Sequence, residues 1–132
     1  MTVHHLGYLV KDMNKARQSF AALGFACVSE PFYDADEDAE LQFLQNGSCT
    51  VELVSPRSER SSVWALLKKY KNTPYHLCYE AADFDAELAD LETRGFLRVG
   101  DVRRAPALGG RRICFLYGAS VGLIELLEGG EA

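Results

Sequence analysis

The chain has 132 residues, is 48% hydrophobic and carries a formal net charge of −5. That length is one domain's worth of chain with a real core, and the acidic balance argues against nucleic acid or an anionic membrane as the default partner. No apolar run approaches the ~18 residues of a membrane span, and strand-like sequence starts two residues after Met1, so no signal peptide is expected. The four cysteines (Cys27, Cys49, Cys78, Cys114) form no CxxC pair. They read as reduced core thiols of a cytoplasmic protein.

Val3–Val10 (VHHLGYLV) reads as a strand, with Leu6, Tyr8 and Val10 on one face and His5, Gly7 and Leu9 on the other. Asp12 suits a helix N-cap. Met13, Ala16, Phe20 and Leu23 follow at helical spacing, and Gly24 suits the left-handed position that stops a helix. Phe25–Tyr33 is the next strand, interrupted at Pro31, and Asp34–Glu40 is an acidic turn. Leu41–Gln45 and Cys49–Val54 read as a hairpin around Asn46-Gly47. The order is β-α-β-β-β.

Residues 56–73 form a connector. It opens polar, then places Val63, Leu66, Leu67 and Tyr70 at helical spacing beside Trp64, which predicts a short helix packed across the two halves. The plan then repeats. With His5 set on His76, an offset of 71, Leu6, Tyr8, Asp12, Gly24 and Phe25 fall on Leu77, Tyr79, Asp83, Gly95 and Phe96. Tyr75–Glu80 is a strand, Phe84, Leu88 and Leu91 mark a helix, and Phe96–Val102 is a strand. Ala105–Gly110 is a loop, and Arg112–Tyr117 and Gly122–Leu127 are the last strands. The tail from Gly129 should be loose. An internal repeat of this period describes one domain over 1–132, built from modules at about 3–55 and 74–128.

Strand alternation sets Leu6, Tyr8, Val51, Leu53, Leu77, Tyr79, Ile124 and Leu126 against the helices. The other face receives His5, Glu52, His76 and Glu125. Glu52 lies between Val51 and Leu53, and Glu125 between Ile124 and Leu126. A carboxylate buried among such neighbours needs a partner or a cation. Two imidazoles and two carboxylates suit a borderline-hard divalent ion, such as Ni, Zn, Co or Mn, rather than Cu(I). A lone histidine in a strand is more often a hydrogen-bonded core residue. Four such residues at equivalent places in two repeats favour a metal. His4 has the wrong parity and no counterpart in the second copy.

Together HHLGYLV with Asp12, Gly24 and Phe25, TVELVSP, YHLCYE with Asp83, Gly95 and Phe96, and GGRRICFL leading to GLIELLE resemble the vicinal oxygen chelate superfamily. Within it the chain is similar to the glyoxalase and methylmalonyl-CoA epimerase branch. The resemblance covers essentially the whole chain. It implies an α+β fold of two βαβββ modules forming a curved eight-stranded mixed sheet around a metal site, with helices on the convex face. It also implies one divalent ion per site on His5, Glu52, His76 and Glu125, and a homodimer.

The His/Glu/His/Glu set is similar to that of bacterial glyoxalase I, so the leading expectation is a lactoylglutathione lyase type of enzyme. It would isomerise a thiol adduct or thioester through a metal-held enediolate. The alternative is an epimerase acting on a CoA thioester. That family usually has glutamine where Glu52 stands, and its extra catalytic glutamate has only Glu37 as a counterpart here. In either case Glu125 is the expected base, with Glu52 a ligand first and a second proton carrier. The cluster Arg98, Arg103, Arg104, Arg111 and Arg112 could hold an anionic substrate. Arg111 and Arg112 have opposite parity, so at most one faces the pocket, and Ser55 is expected at its mouth. A non-catalytic binder of antibiotics such as bleomycin, or a ring-cleaving dioxygenase, fits less well, because the ligand set is complete and the chain is short.

Overall fold

The computed structural model describes Met1–Gly130, so the part of the tail at 131–132 lies outside the described residues. The chain divides into two compact units, His5–Tyr75 and Met1–His4 with His76 onward. The first unit holds β1 (Thr2–Leu9, entered from His5), α1 (Met13–Ala22), β2 (Ala26–Cys27), β3 (Phe32–Asp34), β4 (Ala39–Asn46), β5 (Cys49–Pro56) and α2 (Trp64–Tyr70). Its strands run in the order β2-β4-β5-β1, with β3 also on β4. β1 and β5 are parallel, with Leu6 opposite Val51 and Tyr8 opposite Leu53, and β4 and β5 form the expected antiparallel hairpin.

The second unit holds β6 (Thr73–Ala81, from His76), α3 (Phe84–Thr93), β7 (Leu97–Arg98), β8 (Arg103–Ala105), β9 (Arg111–Gly118) and β10 (Gly122–Glu128). A short 3-10 turn, Pro106–Leu108, joins β8 to β9. The strand order is β6-β10-β9-β7, with β8 on β9, and again the first and last strands are parallel. The fold is α+β with mixed strand pairing.

Both long helices start and stop as expected. The Asp12 and Asp83 carboxylates accept from the N–H groups of Lys15 and Ala86, each such cap being worth ~1 kcal/mol. Gly24 and Gly95 follow the helices at φ 96° and 94°, a region a side chain disfavours. α1 lies over Val10, Leu44, Val51 and Leu53, and α3 over Cys114, Leu116, Ile124 and Leu126.

Among the described residues the strands number ten where eight were expected. The predicted strand Phe25–Tyr33 is split into β2 and β3; the predicted strand Phe96–Val102 shortens to β7, and β8 adds a strand at Arg103–Ala105 that runs into the expected loop. In the first unit Val28 still donates to Phe43 O, and in the second Val99 donates to Phe115 O, both before pairing lapses. Pro31 cannot donate to a ladder, and Gly100 sits at φ 91°. In the first unit the gap is closed by Ser29, whose hydroxyl accepts from Phe43 N and whose carbonyl accepts from Gln42 Nε2.

Four expectations change. Leu77 keeps its parity but is 37% exposed, outside the cluster that α3 covers. The connector helix forms, but none of its side chains is buried and Tyr70 is exposed; Val63, just before it, takes the core position. Cys27 and Cys49 are exposed, on a two-residue edge strand and at a hairpin end, whereas Cys78 and Cys114 are buried thiols. Gly129 is not loose, since its N–H donates to Ala81 O at 2.8 Å.

Candidate functional site

Each unit builds the same small constellation on the sheet face away from its helix. In the first, Glu52 stands mid-β5 with Gly7 of β1 on one side and Phe43 of β4 on the other. His5, two residues before Gly7, shares its face, and its Nε2 lies 3.5 Å from Glu52 Oε1. In the second, Glu125 of β10 is flanked by Cys78 of β6 and Phe115 of β9. His76, two residues before Cys78, brings Nε2 to 3.2 Å from Glu125 Oε1. All four side chains are buried. Parallel pairing of the first and last strands is what sets a histidine beside a glutamate far away in sequence.

The register also supplies a partner that sequence reasoning missed. The Phe43 ring meets His5 edge-on at 5.3 Å and 80°, and Phe115 meets His76 at 5.3 Å and 88°. Such T-shaped contacts hold an imidazole plane in place. The available signal was parity: LQFLQ and ICFLY each place a phenylalanine opposite the glutamate of the following strand.

These donors fit a divalent ion. Two atoms each bound at ~2.1 Å to one ion, at octahedral or tetrahedral angles, lie about 3.0–3.4 Å apart. The two Nε2–Oε1 separations are close to that spacing. Imidazole and carboxylate suit the borderline-hard divalent metals.

The other expected residues are placed as follows. Arg111 shares the face of Phe115. Its Nη1 donates to Glu80 Oε2 at 2.6 Å and to Glu128 O, and its Nε donates to Leu108 O, which pins the 3-10 turn. Arg112 points to the helix side, in a two-point pair with Asp85, a further bond to Glu128, and over the Phe84 ring. Those partners hold its guanidinium charged and keep the Asp85 and Glu128 carboxyls below the usual carboxylate range. Ser55 has the parity of Leu53, on the helix side, and donates to Lys11 O at 3.1 Å. Arg98 pairs with Glu92, and Arg104 donates to Gly110 O.

In the first unit the turn at 35–38 is pinned by Asp38, a non-glycine at φ 51°. Its carboxylate accepts from the Tyr33 hydroxyl at 2.5 Å and from the Ser58 hydroxyl. Those two bonds hold the Asp38 pKa below its ordinary value. Its carbonyl accepts from Arg57 N. Glu37, beside it, donates its N–H to Asp34 Oδ1.

Residues 4–115 match the Glyoxalase/Bleomycin resistance protein/Dioxygenase superfamily, and the chain belongs to it. Within that class the chain is similar to methylmalonyl-CoA epimerases. It is 26% identical to the mitochondrial methylmalonyl-CoA epimerase of Bos taurus over 127 residues, 94% of this chain and 72% of that one. The crystal structure of methylmalonyl-CoA epimerase from Mycobacterium tuberculosis matches with a TM-score of 0.86 at 26% identity, over 98% of this chain and 89% of that one. A variant of Streptomyces coelicolor methylmalonyl-CoA epimerase in complex with 2-nitronate-propionyl-CoA has the same fold, with a TM-score of 0.86 at 24% identity, over 99% of each chain. Among the described residues no helix is long and apolar enough to cross a membrane.

Proposed function

We propose that the two His–Glu pairs act together on one divalent metal ion and that the protein epimerises a 2-carboxyacyl-CoA thioester of the methylmalonyl-CoA kind. The observation that carries this reading is the duplicated pair, His5–Glu52 and His76–Glu125, in a chain whose relatives are epimerases over nearly its full length. The Streptomyces coelicolor enzyme binds a CoA thioester analogue on the same fold, which supports that substrate class.

An ion held there would supply Lewis-acid activation of the C–H beside the thioester carbonyl. His5 and His76 would hold it, kept in orientation by Phe43 and Phe115. Glu125 removes the proton from the carbon between the thioester and the carboxylate. Glu52 would return a proton to the opposite face of that carbon. In the reverse direction the two carboxyls exchange roles, so no net proton is consumed. Arg111, on the same face as Glu125, is the arginine we assign to the anionic part of the substrate; binding there would require it to loosen from Glu80. A homodimer is part of the proposal and rests on the superfamily resemblance.

The carboxylate at position 52, and the lack of a counterpart beyond Glu37 for the epimerase's extra glutamate, favour the lactoylglutathione lyase reading over the epimerase. One assay separates them. The metal-loaded protein in D₂O should place deuterium at C2 of methylmalonyl-CoA and invert it, and should leave the methylglyoxal–glutathione hemithioacetal untouched. Turnover of the hemithioacetal alone would replace the epimerase with the lyase. Exchange with neither substrate would remove the proton-transfer reading.

A further inference from the structure

The helix side of the first unit is not sealed. A cavity of about 430 Å³ opens there, within the range of ~300–1,000 Å³ that small-molecule sites occupy. Its walls are Tyr8, Val10, Ala16 and Phe20, and the exposed Lys11, Lys15 and Asn72 stand at its rim.

The repeat shows what a closed version looks like. Met13, Arg17 and Phe20 of α1 fall on Phe84, Leu88 and Leu91 of α3 at the offset of 71. α3 buries all three of its residues, whereas α1 buries only Met13. Arg17, at the position of Leu88, turns instead to Gln42 Oε1 at 2.7 Å and to Asn14. The same helix on the same strands therefore buries three of these side chains in one unit and one in the other, and Phe20, the one of the three α1 residues that lines the cavity, is left half-buried. Apolar wall left to water forfeits ~25 cal/mol per Å², which an apolar occupant recovers.

The rim sets the charge of that occupant. Among the described residues, neither Lys11 nor Lys15 is paired with a carboxylate in the structure. Asp12, between them, has one carboxylate oxygen engaged by Lys15 N. The Lys11 backbone is held on both sides, its N–H donating to Asn72 Oδ1 at 2.9 Å and its carbonyl accepting from Ser55. The rim thus carries two ammonium groups and the Asp12 carboxylate, a net positive edge above an apolar wall, with its backbone held at Lys11.

We propose that this cavity binds a linear aliphatic carboxylate of medium chain length, the chain against Val10, Ala16 and Phe20 and the carboxylate between Lys11 and Lys15. It lies on the opposite sheet face from Glu52, so the site is separate from the proposed reaction and does not depend on it.

Octanoate titrated into the full-length protein tests this, with octan-1-ol and octylamine as neutral and cationic controls of equal length. Calorimetry should show saturable octanoate binding at least tenfold tighter than either control. Amide shifts should centre on Val10, Ala16 and Phe20. Lys11→Glu with Lys15→Glu should weaken binding at least tenfold, and Ala16→Trp, which fills the cavity, should abolish it, each in protein with a native circular dichroism spectrum. Absence of saturable binding, equal affinity for octanol and octanoate, shifts centred on His5 and Glu52, or unchanged binding in the charge-reversed variant would each overturn the proposal.

Discussion

His5, Glu52 and Phe43 in the first unit repeat as His76, Glu125 and Phe115 in the second, with matching strand register and nearly matching distances. Around these two constellations the units differ. α3 seals its sheet with the buried Phe84, Leu88 and Leu91, whereas α1 buries Met13 and leaves Ala16 and Phe20 half-buried against the core. The turn between the third and fourth strands is pinned by a carboxylate, Asp38, in one unit and by a guanidinium, Arg111, in the other. The difference teaches where the fold is constrained. Backbone pairing of parallel first and last strands fixes the His–Glu geometry, and the helix faces and turns are free to diverge as long as that pairing holds.

The comparison breaks most sharply at the glutamates. Glu125→Gln should lower turnover by ~10³-fold, the scale expected for a lost general base, and abolish deuterium exchange into the epimer whose C2–H faces Glu125. Glu52→Gln should lower inversion by ~10²-fold while exchange at one face of C2 continues. Equal loss of exchange in both variants, read by mass spectrometry of the recovered thioester, would make the two halves chemically equivalent.

The helices give the next largest contrast. Leu88→Ala should cost ~2–4 kcal/mol by the usual measure of an emptied core site. Arg17→Ala, at the equivalent place in α1, should cost ~1 kcal/mol, because it empties no core site and removes one part-buried bond to Gln42 and one exposed bond to Asn14. Urea unfolding checks both, and similar losses would mean that α1 is as closely packed as α3. The caps should behave alike instead: Asp12→Ala and Asp83→Ala should each cost ~1 kcal/mol.

The turn pins should separate by pH. The Asp38 pKa is depressed in the folded state by the Ser58 and Tyr33 hydroxyls. Its stabilisation is therefore present above the unfolded value of ~3.9 and is lost as the pH falls through the lower folded value. Asp38→Asn should flatten that acid limb in thermal melts between about pH 5 and pH 2, and Arg111→Ala should leave it in place. An unaltered limb in Asp38→Asn would assign it to other carboxylates.

Much of this was legible in the sequence because it follows period-two alternation and one offset. Parity separated His5 from His4, set Glu52 and Glu125 opposite Val51 and Ile124, and allowed only one of Arg111 and Arg112 onto the site face. The caps and stops at Asp12, Gly24, Asp83 and Gly95 were equally local. What escaped depended on contacts across strands. The split of Phe25–Tyr33 and the shortening of Phe96–Val102 need the pairing with β4 and β9 to be seen. The edge contacts of Phe43 and Phe115 need the register of three strands. Ser55 resembled a mouth residue by position, but its own parity carries it to the helix side. The exposure of Leu77 depends on how far α3 reaches, which no pattern of spacing encodes.

The central claim is that two equivalent pairs serve one ion. Metal content per chain, measured by inductively coupled plasma mass spectrometry on wild type, His5→Ala and His76→Ala after loading with Co, Ni, Zn or Mn, tests it directly. One ion per chain is expected in the wild type, and near-complete loss in either variant. Two ions per chain, with each variant losing only one, or no tightly held ion at all, would contradict it.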